Sequence, residues 1–285
     1  MRDGIGPNGI LSHISVLPGW MTPDKKKKQK KLLYVSDEGQ GFVEIFRVPS
    51  YSMVGEITSG MNEPEGIATD KKGNLYVANL GGPTVTVYKP GTTIPSRTLS
   101  EPDGPDDVAV GSNGYVYAAD VDGGIDVYPP GATSPSSRLT SSDLAYGVYG
   151  LGVDGSNNVY GGGFGAAGAA VVIFPNASGS GTNLGLTGLD DPTGVLIDNK
   201  NDVVVSDFEQ EAILIYPPGK TSPSSTITVP DPDRSALNKT EGEIFAPEGD
   251  YSGVGVYDYP SGTPVASIPI GGFASGTALS PAPTP

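Results

Sequence analysis

The sequence predicts an all-β fold, a six-bladed β-propeller whose last blade closes between strands from the two ends of the repeat region. Three observations carry this reading. An aromatic residue recurs at Phe46, Tyr88, Tyr128, Phe174, Tyr216 and Tyr257, at intervals of 42, 40, 46, 42 and 41 residues. Each interval holds four short apolar runs separated by Gly, Pro, Asn and Asp, the pattern of four strands and their turns. The sixth set of runs is divided between the beginning and the end of the repeats.

The first complete unit opens at Glu63-Pro64-Glu65-Gly66-Ile67-Ala68-Thr69-Asp70. It continues through Gly73-Asn74-Leu75-Tyr76-Val77-Ala78-Asn79 and Thr84-Val85-Thr86-Val87-Tyr88, turns at Pro90-Gly91, and closes with Ser96-Arg97-Thr98-Leu99. The same order recurs from Pro105, from Tyr149 and from Pro192. The fifth copy is degraded around Ser235-Ala236-Leu237-Asn238 and recovers at Gly242-Glu243-Ile244-Phe245 and Gly253-Val254-Gly255-Val256-Tyr257. The sixth takes its first strand from Ser275-Gly276-Thr277-Ala278-Leu279-Ser280. Its other three come from the runs at Leu33, Ile45 and Val54. Gly66, Gly150, Gly194 and Gly276 fall on the first strand of their units, where strands converging on an axis would leave no room for side chains. Helical solenoids are excluded because no long window carries a 3.6-residue apolar period. The propeller is expected to span residues 31–283, after an N-terminal extension and Lys-rich linker over residues 1–30.

Composition limits the function classes. The formal net charge of -15 opposes a nucleic-acid groove. The absence of cysteine removes disulfides, thiolate metal sites and a Cys nucleophile. No run of 18 apolar residues is present, so no membrane-spanning helix is expected. The N-terminus shows no apolar signal-peptide core.

The repeats resemble NHL-type six-bladed propellers, and more narrowly bacterial propeller proteins with a Tyr-Pro-Pro-Gly-x-Thr-Ser-Pro motif in each blade. That motif stands at residues 128–135 and 216–223, and in weaker form at 88–95. The resemblance covers residues 31–283 and implies the architecture. By analogy with exported relatives it also implies a periplasmic or extracellular location.

The chemical inventory is sparse. His13 is the single histidine and lies outside the repeats, so propeller enzymes built on a histidine base or ligand find no counterpart here. Carboxylates do recur in the loops entering the first strand and leaving the second, which open on one face of a propeller. Glu65, Asp106, Asp107, Asp120 and Asp207 are the candidate ligand-binding residues. Ca²⁺ is the simple ion that such oxygens favour, although the same residue types also suit tight turns. The expected function is a non-enzymatic binding or interaction propeller, with a small molecule or protein on this acidic face. The alternatives are a Ca²⁺-assisted lactonase of the gluconolactonase type and a structural or self-assembling surface protein.

Overall fold

The computed structural model describes residues 31–100, 103–249 and 253–280; the expected N-terminal extension and nearly all of the Lys-rich linker lie outside them. Six four-stranded antiparallel sheets form the blades. Blade one is β4–β7 (Pro64–Thr69, Leu75–Asn79, Thr84–Tyr88, Arg97–Ser100), and blade two is β8–β11 (Pro105–Val110, Val116–Asp120, Ile125–Tyr128, Ser137–Leu139). Blade three is β12–β15 (Gly147–Val153, Val159–Gly165, Gly168–Phe174, Thr182–Asn183), and blade four is β16–β19 (Pro192–Ile197, Val203–Asp207, Ala212–Tyr216, Ser225–Thr228). Blade five is β20–β23 (Ala236–Leu237, Glu243–Glu248, Gly253–Asp258, Pro264–Ile268). Blade six joins β24 (Ala274–Ser280) to β1–β3 (Leu32–Asp37, Phe42–Arg47, Ser52–Ile57). The antiparallel register of β1 with β24 runs from Leu32↔Ser280 to Asp37↔Ala274 and closes the ring.

Each blade is apolar on both sides, and the core is accordingly divided into clusters between neighbouring blades. Tyr76, Val85 and Leu99 of blade one meet Val108, Val116 and Tyr128 of blade two. Leu33, Val35 and Phe46 of blade six meet Phe245, Val254 and Ile268 of blade five. The six recurring aromatics are all buried. Three of them also stitch blade to blade. The hydroxyl of Tyr88 donates to the Ser59 carbonyl at 2.6 Å, Tyr128 to Ser100 at 2.9 Å, and Tyr216 to Thr187 at 3.0 Å. In each case the acceptor lies just before the first strand of the tyrosine's own blade, 28 or 29 residues earlier in the chain.

The Pro-Gly motif is a hairpin between the third and fourth strands. In Pro129-Pro130-Gly131-Ala132 the Ala132 N–H donates to the Pro129 carbonyl at 3.0 Å, with Gly131 at φ 83°. Proline followed by a left-handed glycine is the signature of a type II turn. Ser136, just after the motif, returns both its N–H and its hydroxyl to the Val127 carbonyl, at 2.8 and 3.2 Å.

We call the end at which the innermost strands begin the upper face. On the lower face, the turn from first to second strand is built on an aspartate in three blades. Asp70 accepts from the N–H groups of Lys72 and Asn74, Asp154 from Ser156 and Asn158, and Asp198 from Lys200 and Asp202, all within 2.8–2.9 Å. These carboxylates are Asx-turn residues, as their sequence context suggests.

Candidate functional site

The axis of the ring is where the inner strands come closest, and four glycines make that approach possible. A Cβ on Gly150 would stand 2.7 Å from the Gly194 Cα, and one on Gly276 would stand 2.9 Å from the Glu65 carbonyl oxygen. The inner strands of blades one to four also carry a register shift near their upper ends, as between Pro105 and Asp107. Such bulges re-aim side chains.

The space saved by the glycines is filled by Arg234. It precedes β20, in the stretch Val229-Pro230-Asp231-Pro232-Asp233-Arg234. Two prolines there lack the N–H groups a full inner strand would need, so blade five contributes an inner strand of two residues. Arg234 instead sends its guanidinium across the axis. Nη1 donates to Glu65 Oε2 of blade one at 2.9 Å, to both oxygens of Asp233 at 2.9 and 3.0 Å, and to the Ser275 carbonyl of blade six at 3.2 Å. Nη2 donates to Asp106 of blade two. Nε donates to the Tyr149 carbonyl of blade three at 3.1 Å. One side chain thus ties residues from five blades.

Asp107 lies beside this plug and accepts from the backbone N–H of Leu151 and of Val108, both at 2.7 Å. Burial governs the electrostatics. It pushes Asp107 and Asp233 up to about 7, with the guanidinium opposing in each case. It also holds Asp106 above and Glu65 well above the ordinary carboxylate range. Burial opposes the charge of Arg234 itself, but Asp106, Asp233, Glu65 and Asp107 outweigh it and hold the guanidinium firmly protonated. The plug is therefore one fixed cation shared by several carboxylates whose pKa values burial raises, those of Asp107 and Asp233 to about 7.

Of the five candidate residues, the structure gathers Glu65, Asp106 and Asp107 at the plug and leaves Asp120 and Asp207 in their own blades. Both of these close the second strand and hold a neighbouring loop. Asp207 accepts from the N–H groups of Asp190, Asp191 and Gln210, at 2.8, 2.9 and 3.2 Å. Asp120 pairs with the Arg138 guanidinium, which also reaches Asp103 at 3.0 Å and Asp126 at 3.5 Å. All five are buried. Among the described residues no group of three His, Cys, Asp or Glu side chains is arranged to hold a metal ion. Below the plug the axis opens into a cavity of about 180 Å³ with aliphatic walls, including Ile67, Leu151 and Val195, and with Asp107 and Arg234 among the residues lining it.

Arg234 and Asp233 were not among the residues singled out from sequence. The available signal was positional: where the other blades place Gly66, Asp107, Gly150, Gly194 and Gly276, the fifth places an arginine.

The faces differ in charge, although Arg138 reaches Asp103 on the upper one and Asp70, Asp202, Glu241 and Asp258 stand at the lower one. The described loops of the upper face carry Glu38, Glu63, Asp103, Asp122, Asp190 and Glu209, and their one basic residue, Arg234, is turned into the plug. The exposed lysines Lys71, Lys72, Lys89, Lys200, Lys220 and Lys239 all stand in lower-face turns.

A family model described as strictosidine synthase-like, N-terminal, matches residues 97–125, from β7 to the start of β10. No curated protein matches the chain. Among solved structures, a chain of the nidogen/laminin complex is similar with a TM-score of 0.70 at 14% identity, over 88% of this chain and 98% of that one. The hydrazine synthase of Kuenenia stuttgartiensis gives a TM-score of 0.58 at 14% identity, over 86% of this chain and 85% of that one. No helix among the described residues is long and apolar enough to cross a membrane. With an interaction complex and an enzyme both among its structural neighbours, the chain is shown to be a six-bladed β-propeller related in fold to each.

Proposed function

We propose that this chain is a non-enzymatic binding propeller whose acidic upper face receives a positively charged partner surface. The observation that carries the reading is the acidity of the upper loops: exposed carboxylates ring that face, and the one arginine among its described loops is spent on the plug. A face of one sign raises the encounter rate with a partner of the other and rejects like-charged ones. The lactonase alternative requires a Ca²⁺ at the axis among Glu65 and Asp106, and the chain's own guanidinium occupies that position. An extracytoplasmic location is supported by the resemblance of the repeats to exported propellers.

Calorimetric titration with an oligolysine peptide tests the reading. Binding should weaken as salt rises, and should fall several-fold when Asp122, Asp190 and Glu209 are replaced together by their amides. Replacing Lys71, Lys72 and Lys200 by Gln should leave it intact. Absence of binding at low salt would overturn the proposal, as would lactone hydrolysis lost in Asp106→Asn.

A further inference from the structure

Blades two and six carry the same buried carboxylate pair, and only blade two supplies its counter-charge. In blade two, Asp126 stands opposite Ala118 on β9, and Asp120 lies two residues beyond Ala118 on the same side of the sheet. In blade six, Glu44 stands opposite Val35 on β1, and Asp37 lies two residues beyond Val35. The fourth strand completes the comparison. Asp126 is paired directly with Arg138, whereas Glu44 is paired directly with Glu56. Like charges directly opposed across two strands are destabilising.

Among the described residues the blade-six pair is poorly satisfied. Asp37 is fully buried; its Oδ1 accepts from the N–H groups of Gln40 and Phe273, at 2.9 and 3.1 Å, and its Oδ2 has no partner. Glu44 is 7% exposed, and its buried Oε2 has no partner either. A buried polar atom left in this state is destabilising. Burial, followed by the charges of Asp37 and Glu56, pushes Glu44 up to about 7.

We infer that Asp37, Glu44 and Glu56 form a binding site for a guanidinium group supplied from outside the chain, an arginine side chain being its natural source. Blade two shows the occupant that this carboxylate arrangement takes: a guanidinium, 29% exposed, spanning Asp120 and Asp126. Glu56 is half-buried and marks the way in. Blade six lacks its own cation because Glu56 stands where blade two has Arg138. Arg138 lies over Gly124, where a Cβ would stand 2.5 Å from its Nε, so a guanidinium in blade six must take a different line, past Glu56. Blade six has Phe42 at the matching place, on the same side of the sheet as Glu44. An aromatic ring beside carboxylates favours a planar guanidinium, which stacks and donates in two directions, over a compact ammonium. The site is separate from the face-wide attraction proposed above, because it needs one guanidinium and no lysine.

The test is a titration of the intact chain with methylguanidinium, followed by amide NMR shifts of Ser36, Gln40 and Phe273. Saturable shifts at these amides are expected, lost in Glu44→Gln, reduced in Glu56→Gln and kept in Asp258→Asn, an exposed carboxylate outside both sites. Melting curves of the two site variants establish that they are folded. Three results would overturn the inference: no saturable shift, unchanged shifts in both folded site variants, or an equal response to methylammonium or Ca²⁺. Because the face-wide reading is tested with oligolysine, the two can fail separately.

Discussion

Arg234 and Glu65 are 169 positions apart in the chain and 2.9 Å apart on the axis of the ring. The contact exists only when blade one and blade five are both in place. Asp106 and the carbonyls of Tyr149 and Ser275 add the same requirement for blades two, three and six.

Removing the guanidinium should therefore unlock the centre. Arg234→Ala leaves Glu65, Asp106 and Asp233 facing one another, and thermal or denaturant unfolding should show a loss of about 3–5 kcal/mol. Arg234→Lys keeps the charge but not the donors directed at Asp106, Glu65 and Tyr149, and should fall between alanine and wild type. A wild-type melting curve for the alanine variant would show that the plug is decorative.

Buried carboxylates of the plug and of blade six set a pH dependence. Glu44, Asp107 and Asp233 each lie at about 7 in the folded state, above their unfolded values. Between those values and 7 the folded chain holds protons that the unfolded chain has released. Stability is thus greatest at the acid end of this window and is lost as pH rises through 7. The melting temperature should be higher at pH ~5.5 than at pH ~8, and Glu44→Gln with Asp107→Asn should flatten the profile.

The tyrosine stitches separate packing from hydrogen bonding. Tyr128→Phe removes the hydroxyl and its bond to the Ser100 carbonyl and should cost about 1 kcal/mol. Tyr128→Ala and Tyr216→Ala empty fully buried sites and should cost on the order of 3 kcal/mol each. Urea unfolding of the three variants checks the order.

Closure is tested by deleting residues 271–285. The deletion removes β24, exposes the edge of β1 and uncovers Leu33 and Val35. The shortened chain should aggregate and lose cooperative melting. Melting at the wild-type temperature would refute the ring-closing role of β24.

The blades were legible because strand alternation and turn chemistry are local, and because the repeat supplies six readings of each feature. Gly66, Gly150, Gly194 and Gly276 could be placed at the axis for the same reason. The plug was not legible, because Arg234 lies where the pattern breaks, in a proline-interrupted stretch with no strand period to align. The five acidic candidates show a second limit. Sequence equivalence gives the face on which a residue sits but not its distance from the axis. Asp106 and Asp207 belong to the same face, yet one meets the central guanidinium and the other caps a loop over its own blade. That Glu56 faces Glu44 where Arg138 faces Asp126 became visible only through strand register, since Glu56 and Arg138 share no local motif.

The described lysines stand at the lower face, where carboxylates such as Asp70, Asp202 and Asp258 accompany them, while the upper loops are nearly all acidic, and this imbalance gives the ring a permanent electric dipole along its axis. Such a body does not tumble indifferently near a charged boundary. Beside a negatively charged sheet, the turns bearing Lys71, Lys72, Lys200 and Lys239 would be drawn inward. The opposite end, with Glu38, Asp122 and Asp190 around its centre, would be presented to the surroundings. Orientation is thus written into the chain alongside shape, and a surface coated with this protein would display one side of it.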